Sequence, residues 1–251
     1  ANATAANVTD LNALIADTNG TVTATIDGNA EQLASLTATG GDTGTSTLTI
    51  TVDDAATAAR GAAIADATDA STVDFSAAGV SDTFANVVAA GAGTVSANMA
   101  KIDAKDADVA VTITDTIANA TAANVTDLNA LIADTDGTVT ATIDGNYAQL
   151  SSITATAGDT GTSTLTITVD DAVTAAQGNT ALGLTDGTVI YGGGVSDTFA
   201  NVVAAGTGAV STNMGNIDAA DADVAVAITD TIANATAANV TDLNALIADT
   251  N

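Results

Sequence analysis

Apolar residues and threonines alternate along several short runs of this 251-residue chain. The clearest is Leu165-Thr166-Ile167-Thr168-Val169. Its period of two predicts a strand with an apolar face turned inward and a threonine face turned away. The runs Val22–Ile26, Leu48–Val52, Val109–Ile113, Val139–Ile143 and Val224–Ile228 read the same way, and Val73–Phe75 and Val189–Tyr191 are shorter versions. Their β-branched content favours strand over helix. An aspartate follows each run: Asp27, Asp53, Asp82, Asp115, Asp144, Asp170, Asp197 and Asp230. Beyond it the period changes. Across Thr116–Ala133, the residues Ile117, Thr121, Val125, Leu128 and Ile132 recur at steps of three and four, the stripe of an amphipathic helix. Gly137 closes that helix where a positive φ is often required. Phe199, Val202 and Val203 predict a similar helix after Asp197. The helix over Asn146–Ile153 is weaker, and Gly178 and Gly183 dilute the one after Asp171.

The pattern repeats at two scales. The string ANATAANVTDLNALIADT starts at Ala1, Ala118 and Ala233, offsets of 117 and 115 residues. GVSDTFANVVAAG occurs at Gly79 and Gly194, and TGTSTLTITVDDA at Thr43 and Thr160. The chain therefore reads as one module over 1–117, a second over 118–232, and the start of a third over 233–251. Because it opens and closes in the same segment, the natural protein is expected to continue in both directions. Within the modules the aspartates recur at steps of 26, 29, 33, 29, 26, 27 and 33 residues, the length of one strand-plus-helix coil. Parallel strands need a connection of that length. The expected fold is α/β, a solenoid of about eight strand–helix coils with a stacked parallel sheet, roughly 38 Å long at about 4.8 Å per strand. The alternative is a right-handed parallel β-helix, in which the Asn/Ala/Thr-rich stretches supply extra strands.

Charge narrows the partners. Thirty acidic residues face three basic ones, Arg60, Lys101 and Lys105, for a formal net charge of -27. Nucleic-acid binding rests on Lys and Arg neutralising phosphates, so it is excluded, and so are anionic membrane surfaces. No apolar run approaches the ~20 residues of a membrane-spanning helix, so no membrane insertion is expected. The remaining partners are divalent cations, neutral surfaces and copies of the chain itself. With no His and no Cys, the usual general base and the thiolate nucleophile are both missing. The modules also exchange their basic positions: Arg60 aligns with Gln177, Lys101 with Asn216 and Lys105 with Ala220. An enzyme is not expected.

Three patterns carry candidate chemistry. The eight aspartates after the strands are either helix N-caps or a carboxylate ladder that holds Ca2+, and the two roles are compatible. Asp103, Asp106 and Asp108 form D-x-x-D-x-D, repeated by Asp218, Asp221 and Asp223. Closely spaced carboxylates suit a hard, oxygen-liganded cation, so these six residues are the candidate Ca2+ ligands, with a solvated acidic loop as the plain alternative. The threonine face, with Thr21, Thr23, Thr25, Thr47, Thr49, Thr51, Thr138, Thr140, Thr142, Thr164, Thr166 and Thr168, is either a simple exposed strand face, a surface for another subunit or polymer, or, more remotely, an ice-ordering array. Sequons at Asn2, Asn7, Asn19 and Asn124 are expected by chance in a chain this rich in Asn and Thr.

The segments Val80-Ser81-Asp82-Thr83-Phe84-Ala85-Asn86, Ile113-Thr114-Asp115-Thr116-Ile117-Ala118-Asn119 and Val195-Ser196-Asp197-Thr198-Phe199-Ala200-Asn201 resemble the [VI]-[ST]-D-T-x-A-N repeats of large secreted bacterial surface proteins of RTX-like, adhesin-like and surface-layer-like type. The resemblance implies export to the cell surface. It also implies a structural or adhesive role: a filament, sheath or surface layer built by coil stacking and lateral self-association, or the rigid stalk of an adhesin.

Overall fold

The computed structural model describes residues 3–37, 46–68, 72–75, 79–154 and 163–250. Asn2 of the first sequon and the leading Thr-Gly-Thr of both TGTSTLTITVDDA strings lie outside them. Along the chain the elements are α1 (Ala5–Asp17), β1 (Thr23–Gly28), α2 (Ala30–Leu33), β2 (Thr47–Val52), α3 (Ala58–Asp66), β3 (Val73–Asp74), β4 (Val80–Asp82), α4 (Phe84–Val87), β5 (Val88–Ala89), β6 (Thr94–Val95), α5 (Ala97–Asp103) and β7 (Val111–Ile117). There follow α6 (Ala122–Asp134), β8 (Val139–Gly145), α7 (Tyr147–Leu150), β9 (Thr164–Val169), α8 (Ala175–Ala181) with a 3-10 turn over Leu182–Leu184, β10 (Thr188–Ile190), β11 (Val195–Asp197), α9 (Phe199–Val202), β12 (Val203–Ala204), β13 (Ala209–Val210), α10 (Thr212–Ala220), β14 (Val226–Ile228) and α11 (Ala237–Asp249).

The fold is mixed α/β with parallel sheets. One sheet has the order β1-β2-β3, and a five-stranded parallel sheet has the order β10-β9-β8-β7-β4. Strands β1 to β3, and β7 to β10, lie side by side in sequence order across helix-bearing connections, whereas β4 pairs with β7 and β11 with β14 across intervening strands. Registers are in step: Ala24 faces Leu48 and Ile26 faces Ile50 across β1 and β2, and Val189 faces Ile167 across β10 and β9. In-step pairing keeps every apolar side chain on one face, since a slip of one residue would invert them all. In β2 the residues Leu48, Ile50 and Val52 are buried while Thr47 and Thr49 are exposed and Thr51 is half-buried. In β8, Val139, Ala141 and Ile143 are buried against exposed Thr140 and Thr142. The alternation read from the sequence thus holds in the strands.

Two compact units can be distinguished. The first gathers the described residues up to Asp115 with Asp127–Ala141; the second gathers Thr116–Thr126 with the described residues from Thr142 onward. The core of the first includes Leu33, Leu48, Ile50, Ile64, Phe75, Met99 and Ile102, all fully buried. At about 2 kcal/mol for each large aliphatic side chain withdrawn from water, the Leu, Ile and Met residues supply most of a core in which Phe75 is a rare aromatic. In the second unit Tyr191 stands where the first has Phe75, and its hydroxyl donates to the carbonyl of Gly178 at 2.7 Å. Burial, and then the negative charge of Asp221, push the Tyr191 phenol pKa upward.

Several expectations are corrected. The helix predicted over Thr116–Ala133 is α6, Ala122–Asp134; Ile117 ends β7 instead, and Thr121 caps the helix by pairing with Asn124 (Asn124 N–H to Thr121 Oγ1, 3.3 Å). The alternation runs through Asp115, so the strand continues past the residue taken as its end. Asp27 and Asp144 likewise lie inside β1 and β8. Gly137 is not at positive φ; it is needed because a Cβ there would sit 2.4 Å from the carbonyl oxygens of both Asp108 and Val109. The Val-Ser-Asp segments form strands of their own, β4 and β11, which pair in parallel with β7 and β14. Not every pairing is parallel: β5–β6 and β12–β13 are antiparallel hairpins. The Asn/Ala/Thr-rich stretches that a β-helix would use as strands are helical, as α1, α6 and α11.

Replacing Gly137 by Ala should destabilise the protein by about 3 kcal/mol, a drop in Tm of roughly 6–12 °C, because the opposing atoms are backbone. Gly183→Ala, where a Cβ meets nothing within 4 Å, should leave Tm within about 2 °C. Thermal melts of the two variants check this.

Candidate functional site

Helix starts in this chain use two kinds of oxygen. Thr, Ser or Asn at the N-cap accepts from the third helical amide, as Thr57 does from Arg60, Ser96 from Met99 and Thr174 from Gln177. That is the ordinary cap. In α1 and α11 the asparagine of the sequon completes a reciprocal box: Thr4 pairs with Asn7 and Thr236 with Asn239. Asn7 and Asn124 therefore serve their own helices through Thr4 and Thr121.

Aspartates supply the second oxygen, and they act on a helix well upstream in sequence. Asp54 accepts the first helical amide of α2, from Ala30, at 2.6 Å. Asp82 accepts from Ala58 of α3 at 3.0 Å, and Asp115 from Phe84 of α4 at 2.7 Å. In the second unit Asp171 accepts from Tyr147 of α7 at 2.7 Å, Asp197 from Ala175 of α8 at 3.0 Å, and Asp230 from Phe199 of α9 at 2.7 Å. Each partner lies 22 to 31 residues upstream. Helices α4, α7 and α9 have no side-chain cap of their own, so the borrowed carboxylate serves in its place. The expectation of aspartate caps is thus corrected in its partner: Asp82, Asp115, Asp197 and Asp230 do meet a helix N-terminus, but it belongs to a helix upstream and not to the one that follows. Twice the clip is one residue later than expected, at Asp54 and Asp171 instead of Asp53 and Asp170. Carboxylates at helix N-termini also gain from the helix dipole.

Asp82 and Asp197 have a further oxygen to satisfy. It accepts from the next backbone amide (Thr83, Thr198; 2.8 Å each) and from the side-chain amide four residues on (Asn86, Asn201; 2.7 Å each). Burial opposes ionisation, but these bonds together outweigh it and hold both carboxyls below the usual range.

The most buried clips were not anticipated from the sequence. Asp127, 2% exposed on α6, accepts from Gly91 at 2.6 Å and Gly93 at 2.8 Å. Asp242, 1% exposed on α11, accepts from Gly206 at 2.7 Å and Gly208 at 2.8 Å. All four glycines have positive φ, which turns both amides of each hairpin toward one carboxylate. The signal was an aspartate set inside the apolar stripe of the helix, paired with a Gly-x-Gly some 34–36 residues earlier.

The six candidate Ca2+ ligands diverge. Asp103 ends α5, with one carboxyl oxygen buried and unpartnered; burial and then the charge of Asp136 raise its pKa. Asp134 is raised by burial and then by Asp103. Asp106 accepts from Phe75 N–H at 2.6 Å. Burial, a shared hydrogen bond with Asp108 and the nearby charges of Asp108 and Asp74 raise it to about 6. The second copy repeats this. Asp218 faces Asp249, each with a buried unpartnered oxygen. Asp221 accepts from Tyr191 N–H at 2.7 Å and is raised by burial and then by Asp223. Each triplet is thus split between two carboxyl pairs, and among the described residues no group of three or more is placed to hold a metal. Asp144 and Asp170 form a further close pair: Asp170 is raised by burial and then by Asp144.

A shallow groove runs past Thr49, Thr51, Asp74, Asp106 and Asp108, with Lys105 at its side. Lys105 donates to the carbonyl of Thr68 at 3.1 Å, and Lys101 pairs with Asp66 at 2.6 Å on the surface. In the second unit the bond between the corresponding helices runs between Asn216 and Asn179, at 2.8 Å. The lysines thus bridge structural elements.

Asp127→Ala should cost about 3 kcal/mol, because two hairpin amides lose a charged acceptor. Asp10→Ala, at the same place in the identical but exposed α1, should cost almost nothing; urea unfolding of both variants reads the difference. Stability should also depend on pH with an interior maximum. Asp106, raised to about 6, contributes stability that is full below the unfolded value near 3.8 and lost as pH climbs through 6. Asp82 and Asp197, held low, contribute stability that is lost as pH falls below 3.8. The urea midpoint should therefore rise from pH 7 to about 4.5 and drop below about 3.5, and Asp106→Asn should flatten the rise. No protein-family model, curated protein or solved structure matches the chain.

Proposed function

We propose that the chain is a structural repeat of an extracellular assembly on a bacterial surface, an α/β solenoid whose coils stack within the chain and whose modules associate into a filament, sheath or layer. The observation that carries this reading is the carboxylate clip. From Asp54 to Asp230, one coil completes the helix start of another 22 to 31 residues away, so neighbouring coils depend on each other for hydrogen bonds as well as for apolar cover. Repetition of the clips in both modules suits a part used many times over. The resemblance of the Val-Ser-Asp-Thr-Phe-Ala-Asn segments supports the surface location. Lys101 and Lys105 engaged in bridges, with no His or Cys in the chain, favour a structural role over a catalytic one.

Rigidity of the same clips favours a second reading, the stalk of an adhesin, in which modules act as spacers without lateral contacts. The threonines exposed on β1, β2 and β8, with Thr164 of β9, are the surface that distinguishes the two, since lateral association would cover it. Divalent cations are the proposed counterions, with Ca2+ held by the paired carboxyls Asp103 with Asp134 and Asp218 with Asp249, whose buried oxygens lack protein donors.

Electron microscopy of the purified chain at rising concentration tests the assembly: ordered filaments or sheets are expected, while isolated particles at every concentration, with and without Ca2+, would overturn it. Thermal melts in 5 mM Ca2+ and in EDTA, concentrations of about the range used to saturate weak extracellular sites, test the counterion. A Tm higher in Ca2+ is expected, and coincident melts would remove the cation from the proposal.

A further inference from the structure

Asn-x-Thr strings recur along the chain, and the fold sorts them. In Asn7-Val8-Thr9, Asn124-Val125-Thr126 and Asn239-Val240-Thr241 the asparagine lies in the first turn of α1, α6 or α11, and its side-chain oxygen is engaged. Asn124 Oδ1 accepts from the backbone N–H and the hydroxyl of Thr121, at 2.9 and 2.7 Å. Asn239 Oδ1 accepts from the same two groups of Thr236, at 2.8 Å each, and Asn7 does so from Thr4. Freeing such a side chain means undoing a helix start.

Asn119-Ala120-Thr121 and Asn234-Ala235-Thr236 are placed differently. Asn119 lies in the turn between β7 and α6, and Asn234 in the turn before α11; both are exposed. Among the described residues neither side chain has a hydrogen-bond partner. Their backbones are unusual as well. φ is 50° at Asn119 and 52° at Asn234, whereas every other positive φ among the described residues belongs to a glycine. Glycine takes this conformation at less cost than any residue with a Cβ, and no contact in the fold calls for an amide at these turns. Asn119 is exposed with elements on both sides of it in the chain, β7 before and α6 and β8 after.

We propose that Asn119 and Asn234 are acceptor sites for an N-linked glycan, so that sugar stands on the turn ahead of α6 and of α11. Asn-x-Thr is the acceptor pattern, and it is used on surface turns. The donor is a sugar whose anomeric carbon bears a diphosphate leaving group, carried on a lipid or on a nucleotide. The side-chain nitrogen of Asn119 bonds to that carbon as the carbon–oxygen bond to the diphosphate breaks. The diphosphate departs with the electron pair, and one amide proton passes to a carboxylate of the transferase. Thr121 then has two uses. Its hydroxyl caps α6 through Asn124, and it is the third position of the acceptor.

Mass spectrometry of the chain isolated from the surface of the cells that make it is the test. Cleavage before aspartate releases residues 115–126 and 230–241, two peptides of identical sequence that each hold both kinds of asparagine. Both should be heavier by one or more sugar residues, with fragment ions placing the sugar on Asn119 and Asn234 and none on Asn124 or Asn239. Variants made in the same cells separate the acceptor from the fold. Asn119→Gly keeps the turn and Thr121→Asp keeps the cap. Each should lose the sugar at residue 119 with Tm held within about 2 °C, while the unaltered peptide 230–241 stays modified. Thr121→Ser, which keeps both cap and acceptor, should retain the sugar. Bare Asn119 and Asn234 in the native chain overturn the proposal. So does sugar found only on Asn124 and Asn239, or sugar kept on Asn119 in the Thr121→Asp variant.

Discussion

A carboxylate that accepts the first amide of a helix 22 to 31 residues upstream is the bond on which this architecture turns. A helix of four residues such as α4, α7 or α9 has too few internal hydrogen bonds to persist alone. Its free amides need an acceptor, and a charged one at the N-terminus is favoured twice, by the bond and by the dipole. Placing that acceptor on a distant segment makes each helix conditional on the part of the chain that follows it. Local and long-range order then form together, a kind of cooperativity that larger hydrophobic cores supply by packing alone.

The same bond explains how so acidic a chain folds with three basic residues. Many of its carboxylates are balanced by backbone amides instead of by Lys or Arg. Asp127 and Asp242 are the extreme cases, buried with no basic partner and held by two turned-out glycine amides apiece. The pairs Asp103 with Asp134 and Asp218 with Asp249 mark where amides run out, and there burial and then the facing carboxylate raise the pKa of Asp134 and Asp249.

The strands were legible in the sequence because a half-buried parallel strand leaves a simple trace: Leu48, Ile50 and Val52 in, Thr47 and Thr49 out. The helix stripe in α6 was legible for the same reason, although its start was placed too early; Ile117 obeys both periods, and only the pairing of β7 decides between them. Three-residue strands such as β4 carry no period at all, and the hairpins β5–β6 and β12–β13 are defined by glycine φ values instead of by apolar spacing. The aspartates were recognised as cap residues, but their partners were not. Capping is a local rule in sequence, whereas these bonds span 22 to 36 residues and depend on coil-to-coil register. The D-x-x-D-x-D triplet looked like one site because its members are close in sequence, yet the end of α5 sends Asp103 toward Asp134 and Asp136 and leaves Asp106 at the end of β3.

The two bridges between matching helices differ in kind. Lys101 reaches Asp66 through an exposed ion pair, whereas Asn216 reaches Asn179 through neutral amides. An exposed ion pair weakens as salt rises; an amide pair hardly responds. Copies of one blueprint in a single chain therefore differ in how they sense brine: the bridge in the first loosens as ionic strength climbs, while its counterpart in the second holds.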